Sequence, residues 1–437
     1  MASNRTFWSV VAFALALRAA LLLGIGPNVK YALTADSPSY IQTAQNLRTH
    51  ASFSRTGDVP ELYRTPGYPV FLMPFLAGTS GLHYRAVQWA QALLNSLSAG
   101  LVYLAALYFW KRPKAALAAG VGLALDFVNA IHCSFMLTDI LFVFLLAVVL
   151  LFLVRHSYVL AGLATALAAF VRPIGLYYPG FLVILLAGYA MSGKSPISRR
   201  QVLLFLIAST LPLALWMGRN HHLAGRWTFS TLQDANLYTV RAALVEMEKS
   251  HVSYEAALSK VQTSYAESAD EQLPSQWSAR YLITNWQAYT KLMAKDMVKF
   301  LTGNSMKVSA WAVLKDDHYD PSVIPVHSVD SPVTQAQDLI SRHPLLGVGL
   351  VSYLLFLGLI YILAVLGMWV SVKQKGWGET LLIFSSIFYF VAVTLGADAQ
   401  ARYRLPIMPA LLLFAGGGYA RLESKDLSTE QMGERSR

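Results

Sequence analysis

Long apolar runs separated by short polar clusters set the character of this chain. Positions 140–154, 202–217 and 345–372 are mainly Leu, Ile, Val, Phe and Ala. A helix needs about 20 mainly apolar residues to cross a hydrocarbon core about 30 Å thick. Several runs reach that length and others stop a few residues short, either completed by their flanks or buried as core helices. Their number and regular spacing favour spans, expected near 7–26, 86–110, 115–132, 136–154, 157–172, 174–191, 201–218, 345–372, 377–396 and 404–420. The pattern predicts an all-α polytopic membrane protein with about ten transmembrane helices. Its weakest point is the pair across 157–191, where Arg172-Pro173 interrupts the apolar run.

Basic residues beside the spans set their orientation. Lys111-Arg112-Pro113-Lys114, Arg155-His156, Lys194 with Arg199 and Arg200, Lys373 with Lys375, and Arg421 with Lys425 all fit one side if that side is cytoplasmic. Two long loops then lie outside, about 27–85 and 219–343. The chain divides into an N-terminal transmembrane module, 1–218, whose first external loop spans 27–85. An external, partly helical cap at 219–343 follows, then C-terminal transmembrane helices at 344–422 and a disordered cytoplasmic tail at 423–437. Within the cap, 254–260 and 286–300 have helical periodicity, whereas 316–332 collects Pro, Asp and His and reads as irregular loop.

Composition agrees with the pattern. Of 437 residues 55% are hydrophobic and 14% charged, against about 25% charged in an ordinary soluble domain. The net charge of +11 does not point to nucleic acid, because the basic residues sit in short clusters between spans. The single Cys133 excludes an internal disulfide, and zinc-type Cys/His spacing is absent. Arg5 followed by the apolar stretch 7–23 resembles a signal peptide. Arg18 interrupts that stretch and no small-residue cleavage site follows, so an uncleaved first span is expected.

Ionisable groups within or beside a bilayer are costly, so each prompts a functional reading. On this topology an unusual share falls at the external ends of spans: Asp36, Arg64, Asp139, Arg172, Arg219 with Asn220 and His221, and Asp398, Arg402 and Arg404. Acids and arginines at one depth suit an anionic substrate. Arginine's planar fork holds phosphate bidentately, and a neighbouring carboxylate can serve as general base. The plain alternative is that span-end arginines anchor the headgroup region. Asp139 reads equally as an N-cap beside Thr138. The Tyr63–Pro69 stretch, with the short run 70–76 after it, reads either as an interfacial segment flooring a lipid cavity or as a loop-to-helix boundary.

Four segments carry a family resemblance. They are Ala35-Asp36-Ser37-Pro38-Ser39-Tyr40 with Ala44, Tyr63-Arg64-Thr65-Pro66-Gly67-Tyr68-Pro69-Val70-Phe71-Leu72, Leu137-Thr138-Asp139-Ile140-Leu141-Phe142, and Ala401-Arg402-Tyr403-Arg404-Leu405-Pro406 with Pro409. Weaker echoes are Val171-Arg172-Pro173-Ile174-Gly175 and the Gly225, Ser230, Asn236-Leu237-Tyr238 spacing. In this order the chain resembles a GT-C superfamily glycosyltransferase of the glycosyltransferase family 39-like group, related to bacterial protein O-mannosyltransferases and aminoarabinose transferases.

The resemblance implies an inverting glycosyltransferase using a polyprenyl-phosphate sugar donor and an acceptor hydroxyl on a glycan, lipid or protein. Asp36 is then the catalytic base. Arg402 and Arg404 hold the phosphate, with Arg64, Arg172, Asp139, Tyr40 and Tyr403 as further substrate-binding residues. Several relatives carry an Asp-Glu pair in the first loop where this chain has Asp36-Ser37. Without the second acid no metal is expected, and no cofactor. A monomer in a bacterial cytoplasmic membrane is expected, surrounded by membrane lipids and with its active site on the external (periplasmic) face. Two other readings stand beside it: a transporter or flippase for lipid-linked sugars, disfavoured by the absence of repeated halves, and a polysaccharide polymerase or ligase.

Overall fold

Nearly every apolar run has become a helix, because a chain in hydrocarbon must pair its backbone groups internally. The structure is a computed structural model describing residues 2–77, 81–193, 197–268, 273–319, 332–397 and 399–435. The N-terminal part comprises α1 (Ala2–Ile25), α2 (Ser37–His50), α3 (Gly67–Leu72), α4 (Tyr84–Trp110), α5 (Pro113–Leu125), α6 (Phe127–His132), α7 (Asp139–Val154), α8 (Tyr158–Val171), α9 (Tyr178–Met191) and α10 (Arg199–Ala224). Shorter helices follow: α11 (Leu232–Ala235), α12 (Ala243–Ser250), α13 (Tyr254–Glu267), α14 (Pro274–Thr284), α15 (Trp286–Thr302), α16 (Met306–Leu314) and α17 (Pro332–Arg342). The chain closes with α18 (Pro344–Thr394), a 3-10 turn (Ala401–Ile407) and α19 (Met408–Arg435). A two-stranded ribbon pairs Leu76–Ala77 with Gly81–Leu82.

Among the described residues six helices are long and apolar enough to cross a membrane, and α5, α7 and α8 are shorter apolar helices. At about 1.5 Å per residue, the 51 residues of α18 would extend roughly 75 Å, more than twice a hydrocarbon core of about 30 Å. The helix is broken at Gly376, whose φ of 84° and ψ of 174° are not helical. The arm before the break lies along α19, where Gly367 meets the backbone at Phe414 and Gly418 meets that at Leu363. Small residues let helices in lipid approach this closely.

The basic clusters gather at one end of the bundle. Lys114 pairs with Glu423, the guanidinium of Arg155 lies over the Tyr108 ring, and Lys375 lies over Phe109. The ring of Tyr189 sits against Gly378, just past the break in α18. Asp139, the first residue of α7, marks the opposite end, together with Arg172 after α8 and the turn Ala401–Ile407 before α19.

Two expectations are corrected. The span placed at 115–132 stops at Leu125, because the Asp126 side chain accepts the Val128 N–H and starts α6 as a separate helix. The tail from 423, expected to be disordered, continues α19 to Arg435. It extends an existing helix, so no new nucleus has to form, and Glu, Lys, Leu, Gln, Met and Arg propagate one well. The stretches 254–260 and 286–300 lie within α13 and α15. Of the stretch expected to be irregular, residues 320–331 fall outside the described residues, as does Asp398.

Candidate functional site

The first loop builds the site around a helix that sequence periodicity did not reveal. Asp36 occupies the N-cap position of α2 with Pro38 in the first turn, yet its carboxylate caps no backbone N–H. It turns instead to Arg64, whose Nη2 donates to Oδ1 at 2.7 Å. The other donors of Arg64 reach Ser39 Oγ at 2.9 Å and the Tyr40 hydroxyl at 3.0 Å, and its guanidinium stacks 4.4 Å from the centre of the Tyr40 ring. One arginine therefore reads three residues of α2 at once.

Arg64 is held from behind. The buried Glu61 carboxylate accepts the backbone N–H groups of Tyr63 at 2.6 Å and Arg64 at 3.1 Å. A Cβ on Gly67 would come within 2.7 Å of the Phe170 carbonyl oxygen, so only glycine lets this loop touch the end of α8. From the far side Thr231 donates to the Leu62 carbonyl at 2.9 Å and Ser230 to that of Tyr63 at 2.6 Å. Arg219, at the end of α10, reaches the Glu61 carbonyl and stacks on Trp216 and Phe53.

Three further charged residues from other parts of the chain close on the same place. Arg402 approaches Asp36 Oδ2 at 3.8 Å, and its Nε is buried without a hydrogen-bond partner. Tyr403 lies beside it, 5.3 Å from guanidinium to ring centre. Asp139 is buried and ion-paired with Arg172, whose guanidinium lies over Phe142. Asp139 is the first residue of α7 with no cap made by Thr138, so its carboxylate serves the ion pair. Burial pushes the Asp36 carboxyl up, but Arg402 and then Arg64 outweigh it and hold the group below the usual carboxylate range. Asp36 is thus ionised at neutral pH, with its side chain 40% exposed and open to a substrate.

Arg404 is elsewhere, which corrects the expectation that it faces the site with Arg402. A 3-10 turn advances about 120° per residue, so residues two apart point in very different directions. Arg404 is buried and donates to the Phe300, Leu301 and Gly303 carbonyls and to the Tyr353 hydroxyl. Tyr40 is also engaged, through the hydrogen bond of its hydroxyl with Arg64 and edge-on packing against Tyr68.

His132, at the end of α6, was not singled out from the sequence. It is buried, with Nδ1 2.7 Å from the Val128 carbonyl and its ring against Phe135, and Asp139 and Arg402 act on it electrostatically. A lone histidine with no spacing motif carried no signal. Among the described residues no group of three or more His, Cys, Asp or Glu is placed to hold a metal ion.

No protein-family model and no curated protein matches the sequence. Solved structures do match. The oligosaccharyltransferase of Archaeoglobus fulgidus in its apo form aligns with a TM-score of 0.54 at 13% identity, over 98% of this chain and 52% of that one. The same archaeal enzyme with an inhibitory peptide and a dolichol-phosphate gives a TM-score of 0.52 at 12% identity, over 99% and 52%. ArnT from Cupriavidus metallidurans bound to undecaprenyl phosphate gives 0.42 at 14%, over 94% and 77%. The chain spans about half the length of the archaeal enzyme. Among the described residues several helices are long and apolar enough to cross a membrane, and the chain shares the overall fold of the archaeal oligosaccharyltransferase.

Proposed function

We propose that the protein is an inverting glycosyltransferase that moves a sugar from a polyprenyl-phosphate donor to an acceptor hydroxyl. The observation that carries this reading is the ionised Asp36 held between Arg64 and Arg402, with a buried, unpartnered Nε on Arg402. An exposed carboxylate beside a guanidinium with an unused donor suits a reaction in which one group takes a proton and another receives a phosphate. The archaeal enzyme of the same fold binds a dolichol-phosphate, which makes a lipid phosphate the natural donor to test.

In this mechanism Asp36 removes the proton from the acceptor hydroxyl as its oxygen attacks the anomeric carbon. The new C–O bond forms while the bond to the phosphate oxygen breaks, and the electron pair leaves with the lipid phosphate. Arg402 offsets the charge growing on that phosphate, with Arg172 behind it, and no general acid is needed. Arg64 keeps Asp36 ionised and aimed. Asp139 fixes Arg172, and Tyr403 flanks the phosphate beside Arg402.

A metal ion has no role in this scheme. Of the three acids of the first loop, Asp36 is the one paired with Arg64 and Arg402, and Glu61 is occupied by backbone N–H groups. The protein is proposed to act as a monomer in a bacterial cytoplasmic membrane, with the site on the external face.

The test is mass spectrometry of lipid-linked sugars and glycans from cells producing wild-type or Asp36→Asn protein. Accumulated donor and lost product in the variant support the reading. Product at wild-type level sinks the assignment of the base. Transport of labelled lipid across vesicles by wild-type protein, with no new glycosidic bond, would replace the transferase by a flippase.

A further inference from the structure

Behind the site runs a buried chain of polar side chains that the reaction itself does not use. It starts at Arg404, whose Nη2 donates to the Tyr353 hydroxyl at 3.0 Å. That hydroxyl donates to Asp126 Oδ1 at 2.7 Å. Asp126 Oδ2 accepts from Asn129 at 2.5 Å, Asn129 Oδ1 accepts from Asn95 at 3.2 Å, and Asn95 Oδ1 accepts from Arg18 Nε at 2.8 Å. All six side chains are buried. In low dielectric an unmatched member would be costly, and here every link is paired.

The two arginines at its ends do the same local job. Arg18 donates to the Leu123 and Ala124 carbonyls at the end of α5. Arg404 donates to the Phe300, Leu301 and Gly303 carbonyls at the end of α15. Each cation therefore closes a helix C-terminus, where unsatisfied carbonyls and the helix dipole favour positive charge. Asp126 lies between them as the one carboxylate among these six side chains. It joins the external helix α15, the membrane helix α18 through Tyr353, and the first span.

We propose that Arg404, Tyr353 and Asp126 form a positioning triad for Arg402. Arg404 and Arg402 share one tight turn, Ala401–Ile407. Pinning Arg404 on one side fixes the rotation of the turn and so presents Arg402 to Asp36 on the other. This assignment rests on the proposed role of Arg402 at the lipid phosphate.

The test compares binding of undecaprenyl phosphate with binding of the uncharged alcohol undecaprenol, using the full chain in lipid nanodiscs. A change that merely loosens the fold weakens both lipids alike. Misplacing Arg402 weakens only the phosphate. Arg402→Ala is expected to lower the preference for phosphate about tenfold or more, as loss of a charge-assisted contact does. Tyr353→Phe, which keeps the ring but cuts the link to Asp126, is expected to lower the same preference several-fold. Placed on Arg402→Ala, it should add nothing, since both act through one group.

If Tyr353→Phe does not yield folded protein, Asp126→Asn keeps a helix-capping side chain while removing the charge, and the same outcomes apply. No loss of preference in Arg402→Ala would overturn the phosphate reading itself. A loss in Arg402→Ala with full preference in Tyr353→Phe, or with additive effects in the double variant, would overturn the triad alone.

Discussion

The carboxylate of Asp36 and the guanidinium of Arg64 meet at 2.7 Å across 28 residues of sequence. The pair ties the start of α2 to the loop ahead of α3, and the same guanidinium bonds Ser39 and Tyr40. Lysine at this position could supply the charge, but its single nitrogen cannot span the three acceptors that the separate nitrogens of the guanidinium reach. Arg64→Lys is therefore expected to lower sugar transfer roughly tenfold to a hundredfold, the worth of one or two charge-assisted hydrogen bonds. Donor binding should fall much less, because on the proposed mechanism Arg402 still holds the phosphate. Transfer assays on purified protein with matched donor-binding titrations check this. Equal losses in both would make Arg64 a donor ligand rather than a partner of the base.

Arg402 is the strongest force lowering the pKa of Asp36, opposing the effect of burial. On the proposed mechanism Asp36 acts as its carboxylate, so activity is expected to be lost as pH falls through the folded-state pKa, which lies below the usual carboxylate range. Arg402→Gln removes a positive charge, the pKa rises, and the acid limb of the pH–rate profile should move to higher pH. A profile of residual transfer for both proteins decides the point. An acid limb left in place would mean that Arg402 does not govern the charge of Asp36.

The part of this protein set by its solvent was legible in the sequence, and the part set by short-range geometry was not. Runs such as 202–217 must be helical in lipid, and α10 duly covers them. Asp36, Arg64 and Arg402 stood out because charge near a bilayer needs a reason, and they converge. Arg404 stood out equally, and nothing in a linear motif tells that a 3-10 turn will send it the other way. Asp126 passed unnoticed inside an apolar run, although its capping of α6 ends α5 there. In the sequence Arg18 is only an interruption of an apolar run, whereas burial among the α5 carbonyls is what allows it within a span.

Gly67 supplies a test of how closely the first loop must approach α8. A Cβ there would lie 2.7 Å from the Phe170 carbonyl oxygen, an atom of the backbone that cannot swing aside. Gly67→Ala is expected to cost about 1–3 kcal/mol, as overpacking does, and to displace Arg64 from Asp36. Gly180→Ala is the control, since a Cβ there meets nothing within 4 Å and alanine favours a helix. Thermal melts in detergent should fall for the first variant and hold or rise for the second. Equal melts would show that the loop can lift from α8 without loss.

The segregation of charge between the two ends of the bundle predicts one orientation in the membrane. Arg112 and Gln374 are exposed beside the basic clusters, and Asp58 and Glu255 are exposed in the two segments expected outside. The native Cys133 is buried, so a single introduced thiol reports its own position. Asp58→Cys and Glu255→Cys should react with a membrane-impermeant maleimide on intact spheroplasts. Arg112→Cys and Gln374→Cys should react only after the membrane is opened, because basic loops stay on the cytoplasmic side. The reverse pattern would place Asp36 in the cytoplasm, where an external acceptor could not reach it. Labelling of Asp58→Cys and Glu255→Cys from opposite sides would instead mean that the helices between them, α3 to α10, cross an odd number of times. The short helices α5, α7 and α8 would then be the first to be reassigned from spans to core.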